Sequence, residues 1–102
     1  MPAAFAYVAL PPHVAAAPDA QRAVATAGQE LAGFAASRGY QLVEVFTDVR
    51  GCTESGLYEL LAALRGGRAV AVVVPDVGHL RNAGCLAGAD LPTATRYLRA
   101  RL

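Results

Sequence analysis

The first apolar run of the chain is Phe5-Ala6-Tyr7-Val8-Ala9-Leu10, halted by Pro11-Pro12. Proline has no N–H for a sheet ladder, so this run predicts a short strand followed by a loop from Pro11 to Pro18. From Asp19 to about Arg38 the pattern becomes helical, with Val24, Ala27, Leu31 and Phe34 recurring at spacings of three and four. Asp19 stands where a helix N-cap belongs and Gly39 where a helix C′ glycine belongs. Gln41 to Thr47, rich in Val and Phe, predicts a second strand with Asp48 at its carboxyl end and a turn through Gly51. Leu57, Leu60, Leu61 and Leu64 form one stripe of a second helix from Ser55 to Arg65, closed by Gly66-Gly67. Ala69 to Val74 holds no polar residue, as a parallel strand covered on both faces requires.

The succession β-α-β-α-β predicts an α/β fold with right-handed crossovers. Its sheet is short and parallel, and helices flank it in three layers. Past Pro75 the periodicity fades. Residues 83–89 are small and glycine-rich, and Asp90-Leu91-Pro92 predicts the opening of a short final helix reaching Leu102. Nothing divides the chain, so residues 1–102 are read as one domain.

Composition adds limits. The chain has 102 residues, 55% of them apolar and 17% charged, which suits one domain with a core. A net charge of +1 gives no general attraction for a polyanion. All nine basic residues are arginine, a usage that fits GC-rich coding. Met1-Pro2-Ala3-Ala4-Phe5 lacks the basic start of a signal peptide, and no apolar run approaches the ~20 residues of a membrane span. A cytoplasmic location with reduced Cys52 and Cys85 is therefore expected, with no membrane partner.

Ligands in an open parallel sheet gather at the carboxyl ends of the strands. Three stretches qualify: 11–18, 48–53 and 75–82. Several segments then form a pattern: Ala6-Tyr7-Val8, the run from Ala35 to Asp48, Ser55-Gly56-Leu57-Tyr58-Glu59-Leu60-Leu61-Ala62-Ala63-Leu64-Arg65, and Ala71-Val72-Val73-Val74-Pro75-Asp76. In this order and spacing they resemble the catalytic domain of the serine recombinases, the resolvases and invertases. The resemblance covers about Ala6 to Leu80, a recombinase-like core over 1–82 with 83–102 as an extension. It implies a sheet of order 2-1-3, beside whose third strand the family adds a fourth that residues 83–102 are not expected to supply.

The resemblance also implies what chemistry should be present. The family cuts DNA with a serine after the first strand, in a Tyr-Ala-Arg-Val-Ser pattern. The matching residues here are Tyr7-Val8-Ala9-Leu10-Pro11, so Ala9 replaces the arginine and Pro11 the nucleophile. The acid after the second strand is matched by Asp48. The arginine before the Gly-Leu of the second helix is matched by Glu54, and Asp-Arg-Leu-Ser-Arg falls on Gly78-His79-Leu80-Arg81-Asn82. Phosphoryl transfer to serine needs a hydroxyl at phosphorus and cations on the phosphoryl oxygens. Loss of one such donor costs about 100-fold or more in rate, and here nucleophile and donors are missing together. The two serines, Ser37 and Ser55, belong to other segments. The resemblance thus implies a pseudo-enzyme. A major-groove reading helix is also missing, so no independent sequence-specific DNA binding is expected.

Each remaining candidate has a plainer role beside its chemical one. Asp48 is either a relic acid or the cap of the following turn. His79 can hold an anion when protonated, or be an ordinary loop residue. With Asp48 and Arg81 it defines a candidate small-anion or nucleotide cleft. Cys52 and His79 are the one nucleophile–base pair the sequence offers, without a spacing that unites them. His13, His79, Cys52 and Cys85 fit no zinc spacing, and neither a metal nor another cofactor is expected. Arg96, Arg99 and Arg101 either touch nucleic acid or form a solvated face that suits a helix C-terminus.

An order of 2-1-3 leaves the apolar third strand at an edge, and such edges recruit partners. The strand is expected to be masked by residues 83–91, by a second copy or by another protein, so Val70, Val72 and Val74 form the candidate interface, with Leu91, Tyr97 and Leu98 either part of it or closing the domain's own core. The resulting expectation is a non-catalytic interaction or regulatory module that pairs with itself or another protein. The alternative is the anion-binding domain.

Overall fold

The computed structural model describes residues 1–75 and 95–100. Chain order is β1 (Ala3–Leu10), α1 (Pro12–Ala15), α2 (Ala20–Ser37), β2 (Gln41–Val49), α3 (Ser55–Arg65), β3 (Ala71–Pro75) and β4 (Arg96–Ala100). The strands form a four-stranded sheet of order β2-β1-β3-β4, and every pairing is parallel. The protein is an α/β domain. The expected order 2-1-3 stands, but the fourth strand expected to be missing is present as β4, paired in parallel with β3.

Central position explains the composition of β1. Phe5, Tyr7 and Ala9 face the side carrying α3, where they meet Phe46, Leu60, Leu64, Val72 and Val74. Ala4, Ala6 and Val8 face the side carrying α2, where they meet Leu31, Ala35, Ala71 and Val73. Both faces of the sheet are buried, so the strand cannot alternate polar with apolar residues. The helices lie on opposite faces because the β1-to-β2 and β2-to-β3 crossovers run in opposite directions across the sheet.

Both long helices end as their glycines predict. Gly39 takes φ +87°, Tyr40 N–H donates to Ala35 C=O, and Gly39 N–H donates to Ala36 C=O. Gly67 repeats this after α3 with φ +74°, and Arg68 and Gly67 donate to Ala63 and Leu64. Only a residue tolerant of the left-handed region closes a helix this way at little cost.

Four expectations change. Asp19 is the N-cap residue of α2, but its side chain makes no capping bond. The 11–18 stretch contains the four-residue α1, because Pro12 suits a first helical position and Val14 and Ala15 N–H both find Pro11 C=O at 3.0 Å. The final helix is replaced over 96–100 by β4, paired with β3 from Ala71↔Arg96 to Pro75↔Ala100. Tyr97 packs on the α3-side core and Leu98 and Ala100 on the α2-side core. A spacing that also suited a helix yielded to the unpaired backbone groups along β3, which must be satisfied once buried. Arg96 and Arg99 consequently sit on a strand, and Arg101 lies outside the described residues.

The fourth correction concerns the interface. β4 covers the edge of β3, so Val72 and Val74 are core residues at 0% and 1% exposure and cannot receive a partner. Val70, just before β3, is exposed, while Tyr97 and Leu98 are half-buried. Leu91 lies outside the described residues.

Candidate functional site

Asp48 organises the carboxyl end of the sheet. It lies on β2 opposite Ala9 of β1, and its side chain enters the space between the sheet and the start of α3. Its carboxylate accepts four hydrogen bonds. Oδ1 receives Thr53 Oγ1–H at 2.8 Å and Gly56 N–H at 2.9 Å. Oδ2 receives Tyr7 O–H and Leu57 N–H, each at 2.8 Å.

These contacts make a cap supplied from a neighbouring strand. The first N–H groups of any helix lack partners inside it. Glu54, the N-cap residue of α3, makes no capping bond with its side chain. Asp48 bonds the second and third helical N–H groups instead, and its charge meets the positive end of the helix dipole. Burial alone raises the pKa of Asp48. Hydrogen bonds from Gly56 N–H, Tyr7, Thr53 and Leu57 N–H outweigh it and hold the carboxyl below the ordinary aspartate value.

Local sequence makes this approach possible. Thr53 donates to Asp48 while accepting Val49 N–H at 3.0 Å. Cys52 and Thr53 N–H both reach Val49 C=O at 2.9 Å, which folds the turn back on the strand. Gly56 is the position where α3 touches β2. A Cβ there would collide with the Thr47 carbonyl oxygen and lie 2.9 Å from its carbon.

Asp48 ties the following turn through Thr53, as the plainer reading expected, and beyond that reading caps the start of α3. Its four bonds leave the carboxylate committed to the fold. Sequence spacing does not reveal Tyr7, Thr53 and Gly56 as its partners. The only signals were a threonine five residues on and a glycine at the second position of the predicted helix.

Ala9 is buried in the α3-side core. Pro11 is buried at the end of β1, where its carbonyl anchors α1. Glu54 is exposed and accepts Tyr58 O–H at 3.3 Å. Gly78, His79, Arg81, Asn82 and Cys85 lie outside the described residues, so neither the Asp48–His79–Arg81 cleft nor the Cys52–His79 pair is placed. His13 is exposed on α1, and Cys52 is an exposed free thiol in the turn before α3. Ser37 donates to Phe34 C=O at 2.6 Å in the last turn of α2, which leads to the start of β2.

Among the described residues a concavity stands at the ends of β1 and β2, on the α2 side. It is an open recess of about 400 Å³ lined by Leu10, Ala15, Ala20, Gln21, Val24, Thr47 and Val49. Gln21 and Thr47 are its polar side chains. Elsewhere, Val43, Tyr58 and Val70 are the exposed large apolar residues after Met1 among the described residues.

Comparison with known proteins returns no family model, no curated protein and no solved structure that matches the chain.

Proposed function

We propose that this chain is a non-catalytic module on a serine-recombinase-type scaffold, acting through protein contacts and first of all with a second copy of itself. The carrying observation is the end of β1. The position matching the family's nucleophile is Pro11, which has no hydroxyl and is buried where α1 begins. Ala9, matching an arginine, belongs to the core, so a guanidinium there would have to displace packed side chains. Asp48, the matching acid, is engaged by four donors. These substitutions are what a fold keeps when it is retained without its chemistry.

Support for the scaffold comes from topology. The four segments that resemble the family fall in order on β1, the end of α2 with β2, α3, and β3. The strand that the family adds beside the third has a counterpart in β4. A protein partner fits the near-neutral charge of +1 better than a nucleic acid does.

Copies would meet through helix faces or strand ends. β2 skips Val43 where its register with β1 shifts, and Thr53 Oγ1 takes Val49 N–H near its other end. Bulges and capped edge groups blunt strand addition, as do the exposed Arg96 and Arg99 along β4. The anion-binding alternative is weaker, because Asp48 is spent on capping.

Two measurements test the proposal. Incubation with supercoiled plasmid followed by denaturing electrophoresis should yield neither a nicked product nor a protein–DNA adduct, and an adduct would refute the loss of chemistry. Light scattering across a concentration series should show the mass rising from 10.5 kDa toward twice that value. A mass that stays at 10.5 kDa throughout would refute self-association.

A further inference from the structure

We draw no further inference here: the strongest candidate, the open apolar recess between α1, the first turns of α2 and the carboxyl ends of β1 and β2, carries nothing because nothing in the structure shows what covers it.

Discussion

Replacing Asp48 by alanine removes the acceptor of four hydrogen bonds in one step. The bonds from Tyr7 O–H and Gly56 N–H are buried, and those from Thr53 and Leu57 are partly so. A hydrogen bond to a charged group contributes roughly 1.5–3 kcal/mol, and a donor stranded in the interior costs a similar amount. Water recovers part of the loss at Thr53 and Leu57. The net destabilisation should be about 4 kcal/mol, summing two buried bonds and a fraction of the others. A domain holds only about 5–15 kcal/mol in total. The expected fall in Tm is ~15–30 °C, at roughly 4–8 °C per kcal/mol for this size.

Urea unfolding followed by circular dichroism measures the change directly. If Asp48→Ala does not fold, Asp48→Asn keeps one acceptor oxygen and opposes an amide NH₂ to Leu57 N–H, for a loss of about 2 kcal/mol. The alanine variant carries an internal check. It vacates the volume of a carboxylate among the same donors, so added formate should raise its Tm more than that of the unmutated protein. Chloride at equal ionic strength serves as the control. A cost below about 1 kcal/mol would be ordinary for a surface change and would sink the capping argument. So would formate that stabilises both proteins equally.

Further outcomes follow from the same geometry. The Asp48 pKa is lowered in the folded state, so the unfolded chain binds its proton first on acidification. Its stabilisation is present above the ordinary aspartate value and is lost as pH falls toward the folded value. Urea midpoints across that acidic window should fall more steeply for the wild type than for Asp48→Asn, and parallel curves would contradict the lowered pKa. Gly56→Ala should cost about 1–3 kcal/mol or more, since the added methyl meets unyielding backbone at Thr47. Gly33→Ala, where a Cβ meets nothing within 4 Å on α2, should instead gain up to about 1 kcal/mol. Equal effects at the two glycines in thermal melts would refute the close approach. On β4, Arg96 N–H donates to Val70 C=O, so alternation turns Leu98 N–H toward β3 and Arg99 N–H away. Leu98→Pro should therefore destabilise and promote aggregation while Arg99→Pro is better tolerated, and indistinguishable variants would argue against the strand.

Much of the fold was legible from apolar spacing. The helix Ser55–Arg65 has the predicted bounds, and its Leu60, Leu61 and Leu64 are buried. Of the all-apolar run from Ala69 to Val74, the residues from Ala71 on are buried in β3, as two covered faces demand, while Val70 precedes the strand and is exposed. Glycines 39 and 67 end their helices because their backbone conformation is a local matter. Asp19 was less informative. An N-cap residue offers a side chain, but bonding depends on where the next turn lies.

The amino acids alone therefore determined the run of strands and helices from β1 through α2, β2 and α3 to β3, and which of their faces are apolar. Periodicity and residue chemistry are local, and no tertiary contact can supply proline with a hydroxyl. Tertiary structure decided that Arg96–Ala100 is a strand, that Val72 and Val74 are sealed, and that Asp48 caps a helix on another element. Those outcomes depend on which unpaired backbone groups lie nearby in space, and sequence spacing does not encode that distance.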